Sequence, residues 1–170
     1  MAAAFLLDSN ILFALMLEGR RGHKHAWERL RAVPKESVVA VSAIALAEAD
    51  VGCCLQERDT AEARTAMNEF LRHHGFYIEP VTEHTAPHYG ELKAGLIRRY
   101  QPKRARWPEG WKDKPTGADL QVEEPDLLMA AQALEHGYVL VTGDAMDRIR
   151  EVLKQASTDL TIEDWSIPAA

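Results

Sequence analysis

Short apolar segments of strand character alternate with segments of helical periodicity along this whole chain. The strand-like segments are residues 4–7, 37–41, 76–81, 138–142 and 160–162. Helical periodicity covers residues 11–17, 25–33, 43–56, 60–74, 83–100, 126–136 and 144–155. Ser42 suits an N-cap, and Gly75 and Gly137 suit helix ends. Because parallel neighbours need a crossover, usually a helix, this order predicts an α/β fold with a parallel sheet and helices on both faces.

The size and composition fit a single domain spanning residues 1–170. The chain has 170 residues, of which 46% are apolar, enough to bury a sizeable core without metal or disulfide staples. Residues 101–124 break the pattern, since three prolines and two of the four tryptophans fall there without periodicity. We predict that this segment is an exposed loop.

The cysteines and the N-terminal residues bear on the compartment. Cys53 and Cys54 are sequence neighbours, whose side chains diverge in a helix or strand, so we expect no disulfide between them and a cytoplasmic location. The first 17 residues lack a basic start, and Asp8, Ser9 and Asn10 interrupt their apolar run. We therefore predict neither a signal peptide nor a membrane anchor.

Charge is distributed unevenly along the chain. The formal net charge is -6, yet residues 93–114 hold eight basic residues against two acidic ones. Trp107 and Trp111 lie among these cations, a mixture that suits single-stranded nucleic acid but also an ordinary solvated surface. The candidate RNA-binding residues are Lys103, Arg104, Arg106, Lys112 and Lys114.

Four carboxylates are predicted to meet at one edge of the sheet. Asp8 and Asp144 directly follow strands, and Asp126 opens the helix before the fourth strand. Glu48 lies about two turns into the third helix, and we place it beside an apolar stripe of Ile44, Val51 and Leu55. Open α/β folds bind ligands at the carboxyl edge of the sheet, which makes this edge the candidate site.

Two interpretations of these acids remain open from their positions. Asp8, Asp126 and Asp144 all fall at helix starts, where an aspartate caps amides and complements the helix dipole. Taken together, four close carboxylates repel one another unless a cation neutralises them. Oxygen ligands of this kind suit Mg2+ or Mn2+, which activate water and offset charge on a phosphoryl group.

The ordered motifs of the chain resemble those of PIN-domain ribonucleases. The motifs are Phe5-Leu6-Leu7-Asp8-Ser9-Asn10-Ile11-Leu12, Ser42 with Glu48 and Gly52, Asp126-Leu127-Leu128-Met129-Ala130-Ala131, and Leu140-Val141-Thr142-Gly143-Asp144. The closing Ile162-Glu163-Asp164-Trp165 is similar to the last strand of the VapC-type toxins within that group. The resemblance covers about residues 4–165.

The resemblance implies a three-layer α/β/α sandwich and endonucleolytic cleavage of RNA. Asp8, Glu48, Asp126 and Asp144 would form the acidic metal site, with Mg2+ or Mn2+ as cofactor. Ser9 and Thr142 match positions that support the acids in the family, and Asp147 is a peripheral candidate carboxylate.

Three functions are compatible with these observations. The first is the ribonuclease toxin of a toxin-antitoxin pair, for which we expect a small antitoxin partner and a homodimer. The second is a non-catalytic PIN-like RNA-binding or scaffold protein with structural acids. The third is an RNA-maturation nuclease without an antitoxin.

Overall fold

The computed structural model describes residues 3–55, 60–100 and 122–169. Five strands and seven helices are defined in these ranges. The strands are β1 (Ala4–Leu7), β2 (Val38–Ser42), β3 (Tyr77–Glu79), β4 (Val139–Val141) and β5 (Ile162–Glu163). The helices are α1 (Ser9–Met16), α2 (His23–Ala32), α3 (Ala43–Cys54), α4 (Thr60–His74), α5 (Thr85–Tyr100), α6 (Glu124–His136) and α7 (Asp147–Ala156).

The strands form one parallel sheet in the order β3-β2-β1-β4-β5. The chain winds from β1 out to β3, then returns to place β4 on the other side of β1. Helices α1 to α4 pack as one group, α5 packs on α6 and α7 as another, and α3 also contacts α6. The predicted three-layer α/β/α fold is confirmed, and the point where the strand order reverses lies between β1 and β4.

The core lies where the central strands meet these helices. Leu6, Leu7, Leu140 and Val141 of β1 and β4 are fully buried, which explains why these strands read as continuous apolar runs. Trp165, after β5, is also buried and packs on the ring of Phe5 at 5.4 Å between centroids.

Most helix ends lie where local chemistry predicts them. Ser42 caps α3, its Oγ accepting a hydrogen bond from the Ile44 N–H at 3.1 Å. Gly75 and Gly137 follow α4 and α6 with φ of 67° and 65°, the left-handed conformation that glycine adopts readily.

The expected start of the last helix and the expected extent of the loop at 101–124 differ from the structure. Asp144 does not open the last helix: α7 begins at Asp147, because residues 143–144 bend and Met146 has a φ of 48°. Of the predicted loop at 101–124, residues 101–121 lie outside the described ranges, while Val122 is buried and Glu124 already belongs to α6.

The described ranges include both cysteines and residues 3–17 of the N-terminal apolar run. Cys53 is buried and Cys54 is exposed, and both are free thiols. In the part of the chain that the structure describes, no helix is long and apolar enough to span a membrane.

Candidate active site

Asp8 lies at the centre of the candidate site. It follows β1 directly and is the N-cap of α1, its Oδ1 accepting from the Ser9 N–H at 2.5 Å. Its side chain is buried, with 2% of the residue exposed. Its position places it at the strand-order reversal between β1 and β4, where parallel α/β sheets bind ligands.

Thr142 and Asn10 connect Asp8 to the end of β4. Thr142 Oγ1 donates to Asp8 Oδ2 at 2.7 Å and accepts from the Asp144 N–H at 3.0 Å. Asn10 Nδ2 donates to Asp8 Oδ2 and to Asp144 Oδ2, both at 2.8 Å. The Gly143 N–H donates in return to Asn10 Oδ1 at 2.9 Å. The carboxylates of Asp8 and Asp144 therefore face the same amide group.

Asn10 is a site residue that the sequence analysis did not single out. It lies in the first turn of α1 ahead of the buried residues Ile11 and Leu12, and only its polarity distinguishes it there. Its partners Thr142 and Asp144 are more than 130 positions away in sequence. The sequence held one signal for Asn10: an asparagine in the first turn of a helix, two residues after a predicted site acid. Asparagine favours caps and turns over helix interiors.

Asp126 approaches the site from the start of α6. Its Oδ2 accepts from the Glu123 N–H at 3.2 Å, so this side chain caps the helix, as one of the two open interpretations predicted. It is half-buried and close enough to Asp8 and Asp144 for their charges to affect its ionisation.

Glu48 lies on α3 and is half-buried. Its charge raises the pKa of Asp8, which places it at the same edge of the sheet. The apolar stripe expected beside it is wrong in part: Val51 and Leu55 are 58% and 81% exposed, and the buried face of α3 is Ala45, Ala49 and Cys53.

The electrostatics of the site reflect burial and mutual repulsion. Burial raises the pKa of Asp8 from an ordinary 3.8 to about 6; the charges of Glu48 and Asp144 add to the rise, and the hydrogen bonds from Thr142 and Ser9 oppose it. Burial also raises the pKa of Asp126 to about 6, with the charges of Asp8 and Asp144 adding to it. A nearby cation would favour the ionised form of both carboxylates.

The donor chemistry of the four acids fits a hard divalent cation, since all their side-chain donors are oxygen atoms. Within the described ranges, no three His, Cys, Asp or Glu side chains are close enough to hold one ion in the conformations seen. Asn10 donates to two of the carboxylates. Binding one ion through three or more of these acids therefore requires carboxylate side chains to turn toward a common point.

The remaining candidates lie at the edge of this arrangement or outside the described residues. Ser9 contributes its backbone N–H to Asp8. Asp147 is exposed in the first turn of α7. The five candidate RNA-binding residues, Lys103, Arg104, Arg106, Lys112 and Lys114, all lie outside the described ranges.

At the start of the basic segment, which the structure describes up to residue 100, acidic side chains pair with some of the basic ones. Lys93 is buried, and its Nζ pairs with Glu124 Oε1 at 2.5 Å and with the Tyr89 hydroxyl at 2.7 Å. Arg99 pairs with Glu151 at 3.0 Å. Lys93 is therefore a structural cation and not part of an exposed basic surface.

The comparisons with known proteins agree with the fold. The PIN domain family model matches residues 5–152. The chain belongs to the PIN domain family.

Solved structures of VapBC proteins share its fold over nearly the whole length. VapBC2 from Rickettsia felis, bound to a DNA fragment from its promoter, matches with a TM-score of 0.69 and 20% identity over 95% of this chain and 98% of that one. VapBC-1 from nontypeable Haemophilus influenzae matches with a TM-score of 0.67 and 21% identity over 96% and 99% of the two chains. DNA-bound VapBC from Salmonella typhimurium matches with a TM-score of 0.63 and 21% identity over 97% and 99%. No curated protein matches the chain in sequence.

Proposed function

We propose that this protein is a Mg2+- or Mn2+-dependent endoribonuclease and the toxin of a toxin-antitoxin pair. The observation that carries the proposal is the buried Asp8 carboxylate at the strand-order reversal, within electrostatic range of Glu48 and Asp144. Asp126 is coupled to the same group. Burying a carboxylate among like charges is costly without a compensating cation, and a purely structural role does not require it.

The four acids Asp8, Glu48, Asp126 and Asp144 would hold the cation. When bound, Mg2+ or Mn2+ supplies positive charge that activates water and offsets the charge developing on the phosphoryl group. Thr142 and the Ser9 N–H orient the Asp8 carboxylate and favour its ionised form. Asn10 keeps Asp144 turned toward Asp8.

Cleavage of RNA by the purified protein tests this function. We expect cleavage of single-stranded or loop RNA only with Mg2+ or Mn2+, giving 5'-phosphate and 3'-hydroxyl ends. Asp144→Asn should remove the activity, and Asp159→Asn, at an exposed aspartate after α7, is the matched control that should retain it. Activity that survives exhaustive chelation, or products with 2',3'-cyclic ends, would contradict the mechanism. RNA binding without cleavage would favour the scaffold function instead.

We also propose a small antitoxin as partner, acting in the cytoplasm on a homodimeric toxin. The VapBC proteins that share this fold are named after a family of toxin-antitoxin systems, which supports this proposal. Leu17, which follows α1, and Val51 on α3 with Leu55, which follows α3, are exposed apolar side chains on or beside two helices that pack together. An apolar helix of the partner could cover them, and an Arg or Lys of that partner could reach the acids in place of the cation.

Expression in cells tests the partner. Expression of this protein without the neighbouring gene, which we expect to encode the antitoxin, should arrest growth. Co-expression of the two genes should restore growth and yield a complex with a small protein. RNA cleavage in vitro without growth arrest would instead favour an RNA-maturation nuclease.

A further inference from the structure

Gln132 of α6 is a fully buried polar side chain outside the carboxylate cluster. It has 0% exposure, and both ends of its amide are used. Its Oε1 accepts from Ser42 Oγ at 2.6 Å, and its Nε2 donates to the backbone carbonyl of Glu79 at 2.9 Å. A buried amide is tolerated when it is hydrogen-bonded, and these two bonds fix the side chain between β2 and β3.

The same Ser42 hydroxyl caps α3. Ser42 Oγ is also fully buried and accepts from the Ile44 N–H at 3.1 Å. A hydroxyl has one proton to donate, and here that proton goes to Gln132, which leaves a lone pair for the cap. Gln132 therefore sets the orientation of the N-cap of α3, the helix that carries Glu48 six residues further on.

Gln132 also lies on the helix that carries Asp126. The two residues are six positions apart on α6, about 9 Å along the helix axis at 1.5 Å per residue. One amide thus connects the helix of Asp126 to the cap of the helix of Glu48. Because it donates at one atom and accepts at another, it limits both sliding and rotation of α6 against β2 and β3.

We propose that Gln132 is a positioning residue that sets the separation of Glu48 and Asp126, acting through Ser42. This inference rests on the proposed function, because it treats the two acids as ligands of one cation. An apolar side chain of similar length would fill the same space without fixing the register of α6. The expected loss is therefore in divalent-ion affinity more than in the packing of the core.

Isothermal titration of the full chain with Mn2+ alone tests the proposal in Gln132→Met, in Ser42→Ala and in the double variant. We expect each single variant to lose about 10-fold in Mn2+ affinity, the scale typical of residues that support metal ligands. The double variant should lose little more than Ser42→Ala alone, because Ser42→Ala already removes both the link to Gln132 and the cap of α3. Gln155→Met, at an exposed glutamine on α7, is the matched control and should bind as the wild type does.

Kinetics provide a second measurement. We expect kcat for RNA cleavage to fall at saturating Mn2+ while KM for RNA is retained. If Gln132→Met fails to fold, Gln132→Asn, which adds no volume and is too short to keep both hydrogen bonds, decides the question by the same Mn2+ titration.

Wild-type Mn2+ affinity in folded Gln132→Met and Ser42→Ala would overturn the positioning role. Absence of Mn2+ binding by the wild type would overturn this proposal together with the proposed function. Absence of RNA cleavage with Mn2+ binding that still depends on Gln132 would overturn the ribonuclease function alone.

Discussion

Asp8 is both the N-cap of α1 and the buried carboxylate of the candidate site. Its Oδ1 accepts the Ser9 N–H, while its Oδ2 accepts from Thr142 and Asn10. The capping and the chemical interpretations of this residue are therefore compatible, because the two carboxylate oxygens face different partners. The capping contact fixes the direction in which the other oxygen points.

Asp8→Asn should abolish RNA cleavage while leaving the melting temperature in divalent-free buffer unchanged or higher. The amide oxygen can still accept the Ser9 N–H, but the group brings no charge to a cation. Loss of the buried charge also relieves repulsion from Glu48 and Asp144. Differential scanning calorimetry measures the melting temperature, and a cleavage assay measures the activity. An unfolded variant would mean that the role of Asp8 is mainly structural. The same outcome is expected for Asp126→Asn and Asp144→Asn.

The raised pKa of Asp8 gives the metal-free protein a specific pH dependence. Its pKa in the folded state is about 6, against an ordinary 3.8, so the folded state binds the proton more tightly than the unfolded state does. The Asp8 contribution to stability is therefore present below about pH 4 and is lost as the pH rises through about 6. The shift corresponds to on the order of 2–3 kcal/mol, or several degrees in melting temperature.

Melting curves in divalent-free buffer from pH 4 to 7.5 check this contribution. Relative to Asp8→Asn, the wild type should lose stability as the pH rises from 4 to 7. Parallel curves for the two proteins would contradict the prediction. Added Mg2+ should stabilise the wild type more at pH 7.5 than at pH 5, since the ion competes with the proton for Asp8.

At the scale of elements, the α5–α7 contact depends on a glycine. A Cβ at Gly95 of α5 would overlap Val152 Cγ1, and Val152 is buried and cannot move aside freely. Gly90, on the same helix, has no such neighbour within 4 Å.

Gly95→Ala should therefore lower the free energy of unfolding by about 1–3 kcal/mol, as overpacking does in a well-packed core. Gly90→Ala is the matched control and should raise it by about 0.5–1 kcal/mol, because alanine is the better helix former. Urea unfolding of both variants measures the difference. Equal effects of the two substitutions would mean that α5 and α7 are not closely packed at Gly95.

The elements themselves could be predicted where their limits are encoded locally. The predicted helix at residues 60–74 has the bounds of α4, because a glycine that takes positive φ follows it. The start of α7 was misplaced by three residues, since nothing in the sequence around Met146 signals its positive φ. The positions of Asp8 and Asp144 after strands, of Asp126 in the first turn of α6 and of Glu48 about two turns into α3 could be read from the sequence; that these acids hold a cation stays a prediction. The role of Asn10 depends on contacts that only the folded sheet creates.

At the scale of the whole molecule, the uneven charge distribution predicts how RNA binds. A protein of net charge -6 needs a local basic surface to attract a polyanion. The basic residues proposed for this contact are changed together to Ser: Lys103, Arg104, Arg106, Lys112 and Lys114. We expect weaker RNA binding and a salt dependence flattened by roughly 0.7 per lost phosphate contact on a single strand.

A control set with the same loss of charge separates local contacts from net charge. It changes five exposed basic residues elsewhere in the described ranges to Ser: Lys24, Arg31, Lys35, Arg72 and Lys154. Fluorescence anisotropy with labelled RNA over a range of salt concentrations gives, for each set, the slope of the logarithm of RNA affinity against the logarithm of salt concentration. An unchanged slope in the first set, or equal slopes in the two sets, would mean that the 101–124 segment is an ordinary solvated surface.

The central position of β1 determines when this protein can acquire a complete site during its synthesis. β1 is made first but pairs with β4, which is made about 130 residues later. Thr142 and Asp144 must leave the ribosome before either can reach Asp8 or Asn10. A growing chain therefore lacks the complete carboxylate cluster until residue 144 has left the ribosome. Under the proposed function, this delay keeps the nuclease inactive beside the ribosome while β4 and the acid after it are still being made.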